Sequence, residues 1–303
     1  MPGKIHADEV ETDPSLVRRL LADQFPQWAD LTIDPVESPG TDNAIYRLDE
    51  DMAVRLPRIS GGTGTIDKEL RWLPKLAPLL PVPISQPLAR GAPGQGYPWQ
   101  WSVHRWLDGE SVNVEQVADP VALGQDLGGF VAALRRIDTT GGPIAGQDGS
   151  RGVPLARRDA ATREAIAQLD GVVDGPAVTA AWEAAVRAPM WQHPGVWIHG
   201  DLLSGNVLID DSGRLSAVID FGCMAVGDPA CDVMAAWTLF EAEGREAFRS
   251  VIEVDDATWT RGRGWALSFA LIALPYYMNT NPVFVRDARH VIREVLADRL
   301  RPR

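Results

Sequence analysis

Between positions 199 and 222 the chain reads His199-Gly200-Asp201-Leu-Leu-Ser-Gly-Asn206-Val-Leu-Ile, then a turn, then Val-Ile-Asp220-Phe221-Gly222. A short apolar run, 196–198, leads into a polar loop. Residues 207–209 and 215–219 have strand composition, with the turn Asp210-Asp-Ser-Gly213 between them. The pattern predicts a hairpin in which Asn206 opens one strand and Asp220 closes its neighbour, so that Asp201, Asn206 and Asp220 meet at one edge. Two carboxylates and an amide at this spacing suit a magnesium-assisted phosphoryl transfer. Asp201 would orient an attacking hydroxyl as the base, while Asn206 and Asp220 would offer hard oxygen ligands to Mg2+. The competing reading, ordinary turn formers in a hairpin, predicts the same local shape without the chemistry.

With these residues in place, the chain resembles the aminoglycoside phosphotransferase family, whose fold is eukaryotic-protein-kinase-like. The family pattern is H-G-D-x-x-x-x-N, an I-D-F/W-G-type segment, and then G-D-P-x-x-D, here Gly227-Asp228-Pro229-Ala-Cys-Asp232. It is a kinase H-R-D-x-x-x-x-N loop with glycine in place of arginine. The resemblance implies an α+β, bilobal fold. Residues 1–104 would form a small antiparallel-sheet lobe with one long helix, binding nucleotide and ending in the hinge. Residues 105–303 would form a larger, mostly helical lobe for catalysis and the acceptor. It further implies ATP or GTP as phosphate donor, Mg2+, and a small-molecule hydroxyl as acceptor, first of all an aminoglycoside or related cationic antibiotic. A macrolide or metabolite kinase (sugar, amino alcohol or fructosamine) remains an alternative, as does a catalytically weak nucleotide-binding module.

On the nucleotide side, the sequence predicts a helix over 14–25, strands over 31–36, 44–48 and 52–56, a helix over 66–76, and strands over 84–90 and 99–106. The loop Ser38-Pro-Gly-Thr41-Asp42-Asn43 lies where a phosphate-covering hairpin belongs. It lacks the three glycines of protein kinases, but Thr41 or Asn43 would add a hydroxyl or amide donor beside backbone N–H groups. By the resemblance, Arg55 in Val54-Arg55-Leu56-Pro57 stands where the phosphate-binding lysine is expected, with Glu69 on the following helix as its ion-pair partner. Arginine is abundant here, twenty-six against three lysines. It keeps the charge, but its fork is geometrically distinct. The hinge implied by the resemblance places the base against backbone groups at Ser102 to His104. Trp101 reads equally as pocket wall or core.

His199, by the kinase analogy, orders the loop rather than reacting. Asp228 and Asp232 read as structural, capping a helix start or bracing the loop. Acceptor specificity is expected from the helical lobe. Glu241, Glu243, Asp255 and Asp256 are candidate carboxylates there, each equally a solvated helix face. Trp237, Phe240, Trp259, Trp265, Tyr276 and Tyr277 supply aromatic surface or core. The glycine-rich stretch 141–152 reads as a mobile loop, and 232–243 as one helix.

Net charge is −12, which disfavours a nucleic-acid or anionic-membrane partner and suits a cationic substrate. No protein partner is evident. The longest apolar stretch, 267–278, is too short to span a bilayer, and the first residues lack the apolar core of a signal peptide, so a cytoplasmic location is expected. Cys223 and Cys231 are expected to be free thiols.

Overall fold

Why the first hundred residues form a sheet follows from their period-two burial. In β3 (Met52–Pro57), Val54 and Leu56 point into a core while Arg55 faces the other way. The computed structural model of the protein describes residues 9–36, 42–147 and 150–299. Within them, β1 (Ile33–Val36), β2 (Asn43–Leu48), β3, β4 (Pro87–Gly91) and β5 (Trp101–Arg105) pair antiparallel in the order β1-β2-β3-β5-β4. Helix α1 (Pro14–Gln24) starts at Asp13, whose carboxylate accepts from Leu16 N at 2.6 Å. It lays Leu16, Val17, Leu20 and Leu21 on the sheet's inner face with Val54, Leu56, Val103 and Trp101, so Trp101 is core.

Helix α2 (Ile66–Leu76) crosses the opposite side of the sheet. Its buried residues are Ile66, Glu69, Trp72, Leu73 and Leu76, whereas Leu70 is only half-buried. Trp72, Leu73 and Leu76 pack into the core of the second lobe, so α2 ties the two lobes together.

Beyond β5 the chain is mainly helical, with a short strand β6 (Glu110–Ser111) first. The helices are α3 (Pro120–Arg136), α4 (Asp159–Gln168), α5 (Gly175–Arg187), α6 (Ala230–Val233), α7 (Ala235–Thr238), α8 (Ala242–Ile252), α9 (Asp256–Tyr277) and α10 (Pro282–Arg299). The single helix expected over 232–243 is broken: Leu239 and Glu241 leave the helical region, and Glu241 begins α8. Asp119 caps α3 through Ala122 N at 2.9 Å, with Pro120 in the first turn. Trp237, Phe240, Trp259 and Trp265 are buried core, together with Trp182 and Trp197.

Between the helices lie β7 (Val196–Ile198), β8 (Val207–Ile209), β9 (Leu215–Val218) and β10 (Ala225–Gly227). Strands β8 and β9 are the expected hairpin, joined by β6, while β10 pairs antiparallel with β7. These two small ladders hold the segment 199–224 against the cleft between the lobes.

Candidate active site

The loop after β7 is built from its backbone outward. Gly200 sits at φ +84, and a Cβ there would lie 2.5 Å from the carbonyl oxygen of Cys223. Only glycine satisfies both conditions, so the glycine of the His-Gly-Asp pattern is a backbone requirement. His199 is fully buried, its Nε2 paired with Ile219 O at 2.9 Å and its Nδ1 accepting from Asp201 N at 3.1 Å. Its ring meets Phe221 edge-on at 4.4 Å. Asp232 accepts from His199 N at 2.7 Å and Gly200 N at 2.8 Å. Burial raises the Asp232 pKa, and His199 and the two N–H groups only partly offset it. Asp228 grips Arg261 with two bonds, at 2.9 and 3.1 Å, and accepts from Ala230 N. Asp232 therefore braces the loop from behind, whereas Asp228 ties the start of α6 to α9.

Asn206 and Asp220 are brought together by the hairpin, where Ile219 N donates to Asn206 O at 2.9 Å. The Asn206 amide donates through Nδ2 to Asp201 O at 2.9 Å and lies 3.4 Å from Asp201 Oδ2, leaving its own oxygen unused by these bonds. Asp220 adopts a left-handed backbone, φ +60, and turns its carboxylate toward the cleft.

Across the cleft, Arg55 donates from Nη1 to both Glu69 oxygens, at 3.0 and 3.3 Å, and from Nη2 to Asp220 Oδ1 at 3.2 Å. With its amide oxygen turned to Arg55, Asn43 accepts from Nη2 and Nε at 3.2 and 3.1 Å. Burial works against the guanidinium charge, but Glu69 and then Asp220 outweigh it and raise the Arg55 pKa. Burial raises that of Glu69 despite Arg55. For Asp220, Arg55 and His199 outweigh burial and hold the pKa below the usual carboxylate value. Thr41 lies outside the described residues.

The hinge expectation needs correction at Ser102. Strand β5 runs between β3 and β4, so Ser102 pairs with Arg55 on one side and Arg90 on the other and is fully buried. Its main chain is spent on the sheet. His104 does reach the cleft, but its imidazole lies between Ser85 Oγ (3.1 Å) and Ser102 Oγ (2.9 Å), 3.8 Å from Glu69. Burial and then Arg55 lower its pKa to about 3, so it is neutral. The stretch that follows, Arg105 to Leu107, is where the chain leaves the sheet along the cleft wall.

Asp201, Asn206, Asp220, Arg55, Asn43 and His104 all line one cleft of about 710 Å3 between the lobes. None of Glu241, Glu243, Asp255 and Asp256 is among its lining residues. Asp255 caps α9 through Thr258 N at 2.6 Å, and Asp256 pairs with Arg249. Two features went unread in the sequence. Arg151 pairs with Asp201, and Phe269 and Phe284 wall the cleft beside Tyr277.

The family profile described as "phosphotransferase enzyme family" matches residues 35–265. The chain belongs to that family. A sequence comparison with curated proteins returns no match. Among solved structures, this phosphotransferase is similar to the GDP complex of an aminoglycoside 2'-phosphotransferase-IIIa, with TM-score 0.74 and 18% identity over 95% of this chain and 100% of that one. It is also similar to the gentamicin complex of APH(2")-IIa, at TM-score 0.63 and 16% identity over 95% and 99%. For the macrolide 2'-phosphotransferase MphH from Brachybacterium faecium the values are TM-score 0.61 and 22% identity over 96% and 100%. At these identities the likeness establishes the fold, the bilobal one of small-molecule kinases. No helix among the described residues is long and apolar enough to cross a membrane.

Proposed function

We propose that this phosphotransferase moves the γ-phosphoryl group of ATP or GTP onto a hydroxyl of a small antibiotic-type molecule. The observation that carries the reading is the convergence of Asp201, Asn206 and Asp220 from one side and Arg55, held by Glu69, from the other on a single cleft. In the proposed division, residues 1–104 hold the nucleotide and 105–303 the acceptor. Arg55, held by Glu69 and Asn43, presents its guanidinium to the phosphates. The base lies against Arg105 to Leu107, at the junction of the two lobes, where the end of β5 passes into the second.

The donors fit Mg2+. Asn206 has an amide oxygen left over once Nδ2 is bonded to the loop, and the Asp220 carboxylate is 41% exposed. Two protein oxygens suit an ion that keeps waters and takes phosphate ligands. When bound, it would neutralise charge on the transferring group. Asp201 accepts the hydrogen bond of the attacking hydroxyl and aligns it, receiving its proton as the bond to phosphorus forms and the bond to the nucleoside diphosphate breaks.

The acceptor half of the cleft favours an apolar-bodied molecule over a polycation. Its wall carries Phe269, Ala273, Tyr277, Val283, Phe284 and Val291. Apart from Asp201, Asp287 is the one carboxylate among the described residues there, and it is engaged by Ser204 at 2.8 Å and Arg286 at 3.1 Å. A macrolide-type acceptor therefore suits this wall better than an aminoglycoside, whose several ammonium groups call for acidic partners. The test is Mg2+-dependent nucleotide consumption across aminoglycosides, macrolides, sugars, amino alcohols and fructosamines, with phosphorylated product confirmed by mass. Turnover of macrolides supports both parts of the reading. Turnover confined to aminoglycosides or metabolites overturns the acceptor assignment alone, and bound nucleotide without transfer to any acceptor points to the non-catalytic alternative.

A further inference from the structure

The segment from His199 to Asp220 carries no lysine and a single arginine, Arg214, and that side chain leaves for Asp126 at 2.6 Å on the outer surface. The candidate base nevertheless faces a guanidinium. Arg151, fifty residues earlier, donates from Nη1 to Asp201 Oδ1 and to Gly200 O, the latter at 3.0 Å. Its guanidinium lies 4.9 Å from the centre of the Phe269 ring, wedged between the catalytic loop and the acceptor wall.

This contact is not a surface side chain that happens to swing inward. The loop delivering Arg151 is fastened on both sides of it. Val226 N donates to Pro143 O at 2.7 Å and Ala145 N to Val226 O at 3.0 Å; Asp228 N donates to Gly152 O at 2.9 Å. Gly152, at φ +86, makes the bend that lets the chain pass Ile198. Ser150 Oγ accepts from Gly146 N at 3.1 Å.

We propose that Arg151 is the positioning residue for Asp201. The inference rests on the proposed function and assigns a part of that site which the sequence pattern does not include. The carboxylate has two oxygens. Arg151 holds Oδ1, and the Asn206 amide lies 3.4 Å from Oδ2, so rotation of the group is blocked and Oδ2 is the oxygen left to meet the acceptor hydroxyl. A lysine in the loop itself would do this as a point charge. A guanidinium anchored also on Gly200 O fixes both the carboxylate and the loop that carries it.

The test uses the full-length protein as Arg151→Ala and Arg151→Lys, compared with wild type. Five quantities are read: melting temperature, affinity for a fluorescent ADP analogue, kcat and KM for transfer, and phosphate released to water without acceptor. Transfer is measured on whichever of erythromycin or kanamycin the wild type phosphorylates, and release to water alone is used if it phosphorylates neither. A misplaced base costs about 100-fold in kcat. Arg151→Ala is expected to show that loss with nucleotide affinity unchanged, Arg151→Lys to recover part of it, and added guanidinium ion at millimolar concentration to restore part of the Ala variant's rate. Retention of kcat within threefold in Arg151→Ala overturns the inference. So does a loss matched by weaker nucleotide binding and insensitive to both lysine and guanidinium, because that is the signature of a folding role. A wild type that binds nucleotide yet releases phosphate to neither acceptor nor water overturns the proposed function itself, and this assignment with it.

Discussion

Replacing Arg55 by lysine, the residue the kinase pattern calls for, is expected to weaken this site rather than restore it. The guanidinium acts in two directions with two nitrogens, Nη1 to Glu69 and Nη2 to Asp220. A lysine ammonium is one point on a flexible stem and reaches one of those carboxylates. Glu69 is 1% exposed and its claim dominates, so the contact given up is the one to Asp220. A hydrogen bond to a charged group contributes about 1.5–3 kcal/mol, and the exposure of Asp220 brings the expected cost down to about 1 kcal/mol. Arg55→Ala is different in kind, because it strands Glu69 in the interior. Breaking a buried pair in this way costs about 3–5 kcal/mol. For a chain of this size each kcal/mol is about 2 °C in melting temperature. The expected order is wild type, then Arg55→Lys lower by about 2 °C, then Arg55→Ala lower by about 8 °C. Glu69→Gln added to Arg55→Ala should recover part of the loss, since a neutral amide needs no cation. Thermal unfolding without nucleotide reads all four proteins. A lysine variant that melts at or above wild type, or an alanine variant within 1 °C of it, would refute the bridging role of Arg55.

Two further outcomes follow from the same geometry. The folded-state pKa of His104, about 3, lies below its unfolded value of 6.5, so its contribution to stability is present above that value and is lost as pH falls. Its share of the loss reaches about 2 kcal/mol by pH 5, and His104→Asn, although less stable overall, should lack that component when denaturant unfolding is compared between pH 7 and pH 5. Gly200→Ala removes no functional group, yet its Cβ meets the Cys223 carbonyl oxygen in a backbone region hostile to alanine. Strain of about 1–3 kcal/mol and a transfer rate reduced about 100-fold are expected from calorimetry and kinetics of that variant.

What the sequence made legible was local. The hairpin and its three polar groups lie within 22 residues, so period-two alternation and one turn suffice to bring Asn206 and Asp220 together. Arg55 and Glu69 were readable through the family resemblance, which puts a cation on the third strand and its partner on the following helix. Arg151 was not. It reaches Asp201 through the pairing of 143–145 with β10, a strand of three residues with no strand signal of its own. Glycine-rich composition suggested mobility for 141–152, whereas hydrogen bonds to β10 and Asp228 pin its described residues. The hinge contact that the resemblance implies over Ser102 to His104 falls inside β5, because alternation over 99–106 does not reveal where pairing ends. The break at Leu239 to Glu241 was equally hidden, since neither glycine nor proline marks it. Phe269 and Phe284 look like core residues in sequence; only the packing of α9 against α10 turns them to the cleft.

Transfer of labelled γ-phosphate, measured beside nucleotide affinity with and without Mg2+, in wild type, Asp201→Ala and Asp220→Ala, bears hardest on the assignment of this cleft. Asp201→Ala should bind nucleotide as wild type does, with the same dependence on Mg2+, and lose about 100- to 10,000-fold in transfer. Asp220→Ala should lose the Mg2+-dependent part of nucleotide affinity together with transfer. Full transfer by Asp201→Ala, or unchanged Mg2+-dependent binding by Asp220→Ala, would contradict it.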